Sequence, residues 1–106
     1  MKNSVLSLSL IVLLAPLFYA DSVNAQSTES AANLYQLACS DCHGKNGDKV
    51  ALKKARLLVS LDEAQITEAL IDRRSGKIKG AGNGVKKRLS DDDIKNLAAY
   101  IQTLKK

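Results

Sequence analysis

The chain has 106 residues, 25% of them charged, a formal net charge of +5, two Cys, one His and no Trp. A chain this short makes one domain with a small core, which excludes a multi-domain enzyme and a nucleotide-binding sheet, and two cysteines are too few for a disulfide-framework toxin. The charged fraction is ordinary for a water-soluble protein and too high for a membrane protein.

Residues 1–25 read as an export signal. Lys2 gives a positive start, Val5–Ala20 is apolar, and Ser22-Val23-Asn24-Ala25 ends in small residues suited to a signal peptidase. An uncleaved membrane anchor is the alternative, but Leu8–Ala20 is short for a span of ~20 residues and Pro16 interrupts it. Cleavage before Gln26 leaves 26–106 as the working domain. The charge stays at +5, because Lys2 and Asp21 leave together. A periplasmic location and no membrane span after cleavage are expected. Export separates the chain from the genome, and it has no aromatic platform for stacking bases, so no nucleic-acid partner is expected.

In the mature part, Gln26–Glu29 is polar and predicts a frayed end. Ser30–Ala38 predicts a helix with Leu34, Leu37 and Ala38 on its apolar face. Cys39–Gly47, dense in Gly, Asp and Asn, predicts a turn. Lys49–Val59 is basic and apolar by turns and predicts a short helix. Ser60-Leu61-Asp62-Glu63 reads as a capping box, with Ser60 as the cap and Glu63 reaching back. The helix it opens has Ile66, Ala69 and Leu70 on one face, Arg73 and Arg74 in its last turn and Gly76 as a left-handed stop.

A loop rich in Gly and Lys runs from Lys77 to Arg88. Ser90 and Asp93 form a second capping box, and Leu89 can staple onto Ile94. Ile94, Leu97, Ala98, Ile101 and Leu104 then recur at helical spacing. No alternating strand pattern appears. The fold class is therefore all-α, with three to four helices. Tyr35 and Tyr100 are the only aromatics of 26–106. Aliphatic stripes this short bury little surface, so the domain needs a staple or a large prosthetic group.

Both cysteines and the only histidine fall in Cys39-Ser40-Asp41-Cys42-His43. The pattern C-x-x-C-H is the attachment site of c-type haem. Two thiols three residues apart at a helix end can form thioethers with two vinyl groups on one edge of a porphyrin. The next residue, His43, then offers a nitrogen to iron. A covalent tether suits a chain too small to hold haem by burial, and attachment outside the cytoplasm agrees with the signal. A redox dithiol or disulfide would use C-x-x-C in a βαβ setting that is absent here. A structural zinc site needs four ligands, and the chain offers two thiols and one imidazole.

On these residues the chain resembles the small bacterial class I cytochromes c with one haem, in their short periplasmic subgroup. The resemblance covers Ala31–Leu104. It is carried by Leu34-Tyr35 ahead of the motif, by Gly44 and Gly47 after it, and by Leu89-Ser90-Asp91-Asp92-Asp93-Ile94-Lys95-Asn96-Leu97-Ala98-Ala99-Tyr100-Ile101 at the end. It implies a small cytochrome c fold around one covalent haem c on Cys39 and Cys42, with His43 on iron. It also implies that the first and last helices cross at a small residue and an aromatic, positions held here by Ala31 and Tyr100.

Two departures stand out. The family's second axial ligand is usually a Met about seven residues ahead of the position of Leu89, and counting back reaches Gly82. The only Met is Met1. Asn83 is the first alternative ligand to test, although Asn beside Gly also suits a tight loop. A lysine of the same loop (Lys79, Lys86 or Lys87) is another, and an open or weakly held sixth position, the third, is the expectation. Loss of the thioether sulfur implies a lower reduction potential than in His/Met relatives. The second departure is the lack of a Pro after the motif, so some other carbonyl of 48–56 is expected to accept from His43.

By the same resemblance, Lys45, Lys49, Lys53, Lys54, Lys77, Lys79, Lys86, Lys87 and Arg88 fall in loops around the haem. They would steer the protein to an acidic redox partner, and Arg56 or Arg73 would pair with haem propionates. No acid–base pair or nucleophile constellation is visible. A monomeric electron-transfer protein, not an enzyme, is expected. The alternative is a haem protein that binds a small gas or anion at an open iron site, and a dithiol module without haem is a distant third.

Overall fold

The computed structural model describes residues 12, 14–16 and 22–106. Most of the predicted export signal therefore lies outside the described residues. Among these residues there are five helices and no strand: α1 (Ser22–Ala38), α2 (Ser40–His43), α3 (Glu63–Ser75), α4 (Asn83–Lys86) and α5 (Asp91–Thr103). α2 and α4 are single turns. The three longer helices carry the fold, and α1 and α3 both pack on α5. No helix among the described residues is long and apolar enough to cross a membrane.

α1 begins earlier than its sequence suggests, and 26–29 is helical rather than frayed. No Gly or Pro interrupts Ser22–Ala38, and Ala25, Gln26 and Glu29 are good helix formers. Its buried face also differs from expectation. Ala31 and Tyr35 are buried, Leu34 packs against the core, and Leu37 is 85% exposed. Tyr35 is the reason: once its ring faces α5, a residue two positions on points away.

The predicted helix at Lys49–Val59 is instead two 3₁₀ turns, Ala51–Lys53 and Leu58–Ser60. Leu52 and Lys53 have φ of 53° and 58°, which a right-handed helix cannot continue through.

α3 opens two residues later than predicted. Asp62, not Ser60, is the cap: its carboxylate accepts from the Gln65 amide at 2.8 Å, and the Gln65 side chain accepts from the Asp62 amide at 3.0 Å. The Ser60 hydroxyl donates to the Leu57 carbonyl at 2.6 Å. The later register places Leu61 just before the cap and Ile66 at the fourth helical position, and both join the core. That is a hydrophobic staple, which a cap at Ser60 would have formed from Val59 and Ala64. Asp62→Ala should cost about 1 kcal/mol in chemical denaturation and Ser60→Ala much less. The reverse order would restore the Ser60 register. Gly76 ends α3 in the left-handed conformation, φ 84°, as predicted.

α5 matches its sequence closely. Ser90 and Asp93 exchange both capping bonds, at 3.0 and 2.9 Å. Ile94, Leu97, Ala98 and Ile101 are buried with Leu89, and Leu104 packs beside them. The Tyr35 and Tyr100 rings meet at 5.6 Å between centroids, tilted by 55°. This is the aromatic contact between α1 and α5. Arg74 ties the end of α3 to the start of α5, pairing with Asp91 at 2.7 Å and donating to the Leu89 carbonyl at 3.2 Å.

Candidate functional site

The predicted turn at Cys39–Gly47 contains a helical turn, α2. The Cys39 amide still donates to Tyr35 at 2.9 Å, and the chain then restarts with the His43 amide donating to the Cys39 carbonyl at 3.0 Å. Ser40 secures the joint by donating its hydroxyl to the Gln36 carbonyl at 2.7 Å. One turn of helix thus presents Cys39, Cys42 and His43 together. Gly44, at φ 81°, reverses the chain, and an added Cβ there would lie 3.0 Å from Asp48 and Lys49 side-chain atoms.

Tyr35 anchors this corner from below. It is fully buried, and its hydroxyl donates to the Gly44 carbonyl at 2.7 Å. Burial, and then the neighbouring Cys39, push its pKa from 10.0 up to about 12. The neutral phenol is therefore favoured in the folded state, and its contribution is complete below pH 10. Between pH 10 and 12 the unfolded chain loses the proton while the folded chain keeps it, so stability is lost across that window. The unfolding free energy should fall from pH 9 to 12 by about 2 kcal/mol more in the wild type than in Tyr35→Phe. Equal losses would exclude the effect.

Cys39 is partly buried, Cys42 is exposed, and both thiols are free. Burial raises the Cys39 pKa, with Lys86 opposing and Cys42 adding to the rise. His43 is half-buried. Burial lowers its pKa, and the charges of Lys86 and then Arg73 lower it further, so the ring is held neutral with a lone pair to offer. Its Nδ1 is buried without a hydrogen-bond partner. The carbonyl expected from 48–56 does not reach it. The segment is tied to the motif through main-chain atoms instead, with the Lys49 amide donating to the His43 carbonyl at 3.0 Å.

Two free thiols and a half-buried imidazole on one helical turn fit a group that takes two thioether links and one imidazole ligand. Among the described residues no three His, Cys, Asp or Glu side chains converge as a bare metal site, so zinc gains no support. Covalent haem fits the donor set.

The loop between α3 and α5 supplies the facing residues. Asn83 is bound into the loop at both ends of its amide: Nδ2 donates to the Ile78 carbonyl at 2.7 Å, and Oδ1 accepts from Arg73 at 3.4 Å. This is the loop-staple role that its sequence context allows. Gly82 has φ 82° and opens α4. Lys86 is half-buried, whereas Lys79 and Lys87 are exposed. The Lys86 Nζ lies 2.9 Å from where a Cβ on Gly82 would sit. Burial, then Arg73, lower its pKa, against the pull of Cys39 and Cys42. Sequence reasoning did not single out Lys86 among the loop lysines. The four-residue step from Gly82 was the available signal.

The other basic residues named above, Lys45, Lys49, Lys53, Lys54, Lys77 and Arg88, are exposed, as is Arg56. Lys49 donates to the Asp41 carbonyl at 3.2 Å, and Lys77 pairs with Asp72 at 3.2 Å.

The family model described as cytochrome c matches residues 28–105. The chain is 38% identical over 96 residues to cytochrome c-553 of Helicobacter pylori (strain ATCC 700392 / 26695), covering 90% of this chain and 96% of that protein. It is 36% identical over 81 residues to cytochrome c-553 of Desulfomicrobium norvegicum, covering 73% of this chain and 99% of that protein.

Proposed function

The chain belongs to the cytochrome c family, and from that premise we propose that it is a periplasmic electron carrier. Cys39 and Cys42 hold one haem c through thioethers, and His43 gives the iron one axial nitrogen. The haem supplies a one-electron iron couple. The observation that carries the reading is the half-buried imidazole of His43, set on the same turn of helix as the two free thiols.

The chain's residues do the rest. α2 fixes the spacing of thiols and imidazole, and the Tyr35–Gly44 hydrogen bond holds α2 against α1. The exposed lysines around the motif and the 77–88 loop raise the local positive potential, which favours encounter with an acidic partner and makes it salt-dependent. No residue set for acid–base or nucleophilic chemistry is required by this function. Residues 26–106 contain no Met, so the sixth position is not the usual sulfur. That absence also supports a second reading, a haem protein that binds a small gas or anion at open iron.

Fractionation of cells that make the protein with its maturation machinery tests the first reading. A red periplasmic protein that cycles reversibly between two redox states is expected, with a potential below that of His/Met cytochromes c. A potential as high as theirs would contradict the non-sulfur ligand. A colourless periplasmic protein would remove the function itself.

A further inference from the structure

The sixth position can be assigned to a residue of this chain. We propose that Lys86 is the second axial ligand of the haem iron, its amine taking the space above Gly82 that a side chain at that position would fill. The inference rests on the electron-carrier reading and names the ligand which that reading leaves open.

Three observations converge on Lys86. The first is its place on α4. The helix opens at Gly82, and Lys86 is one turn further on, four residues away. Helical side chains lean back toward the helix amino end, so a long side chain at the fifth residue returns over the first. The second is the distance: its Nζ lies 2.9 Å from the point where a Gly82 Cβ would be. By the family resemblance Gly82 stands where the axial Met is usual, and here the Lys86 amine lies where a side chain at that position would begin. The left-handed φ of 82° and the lack of a Cβ at Gly82 both make that room.

The third observation is competition. Asn83 spends both ends of its amide on Ile78 and Arg73, and Lys79 and Lys87 point into solvent. Lys86 is the half-buried lysine of this loop.

Coordination requires the neutral amine. The ammonium releases one proton to water, and the freed lone pair of Nζ forms the bond to iron, with no change in oxidation state.

The test uses the exported, haem-loaded protein. In the reduced state with isotope-labelled lysine, NMR should show one lysine side chain whose methylene protons are moved far upfield by the porphyrin ring current. Lys86→Ala should lose that signal. It should also bind carbon monoxide with about tenfold or higher apparent affinity, because a ligand that occupies the site nine-tenths of the time lowers the affinity of a competitor by that factor. Lys79→Ala and Lys87→Ala should behave as wild type. A haem-bearing wild-type protein with no upfield-shifted lysine, or one whose carbon monoxide affinity equals that of Lys86→Ala, overturns the assignment and leaves the carrier reading standing. The wild-type spectrum decides the matter even if Lys86→Ala does not mature. A protein without covalent haem overturns both.

Discussion

The double variant Cys39→Ala/Cys42→Ala should be exported as a colourless chain that loses most of its helical signal and melts without a cooperative transition. The reason is the size of the core. The buried cluster is Tyr35, Leu61, Ile66, Leu89, Ile94, Leu97, Ala98 and Ile101, with a few partly buried neighbours. A domain of about this size seldom stands on its side chains alone and relies on a covalent or prosthetic staple. Removing both thiols removes the tether, and the remaining imidazole of His43 cannot retain haem by coordination alone during export. Circular dichroism of the purified variant measures this directly. A colourless variant with full helicity and a sharp melt would show that the polypeptide core suffices.

Leu97→Ala in the haem-loaded protein should cost about 3 kcal/mol, within the range of 2–5 kcal/mol for buried Leu truncations. Leu97 is 1% exposed and shares a cluster with Tyr35 of α1 and Ile66 of α3. The cavity would open where α5 holds both other long helices. A small domain has about two to three times that stability in total, so the urea midpoint should fall sharply while the slope stays constant. Leu37→Ala is the matched control. Leu37 is the same residue type but 85% exposed, and its truncation should change stability by no more than about 0.5 kcal/mol. Equal effects at the two positions would mean that the helix faces are assigned wrongly.

These two leucines also mark what the sequence makes legible. α5 could be read in full because cap, staple and stripe agree: Ser90 with Asp93, Leu89 with Ile94, and Leu97 inside the repeat. The haem motif was legible for a different reason, since Cys39, Cys42 and His43 are rare residues at a chemically constrained spacing. α1 was read less well. Leu34, Leu37 and Ala38 offer an apolar face at helical spacing, but the alternative through Ala31, Leu34 and Tyr35 is as regular, and contact with Tyr100 decides between them. Two overlapping capping patterns compete at 60–65, and the burial of Leu61 selects the later one. Both choices depend on tertiary packing, which a local pattern does not encode.

The loop from Lys77 to Arg88 was the least legible part. Its composition signals Gly-rich turns but gives no hint that Asn83 would fasten to Ile78 and Arg73, or that Lys86 would be the half-buried amine. The two left-handed residues Leu52 and Lys53 are equally unreadable in advance, because neither is a residue type that favours that conformation. The consequence for the site is specific. The cluster of two thiols and one imidazole was legible from spacing alone, whereas the half-burial of Lys86 beside Gly82 required the fold.

The most direct test is the intact mass of the protein recovered from the periplasm of a host with active cytochrome maturation. The mature chain from Gln26 carrying the added mass of one haem, with neither thiol open to alkylation, is the result predicted here. A mass equal to the polypeptide alone, with Cys39 and Cys42 both alkylated, would contradict it.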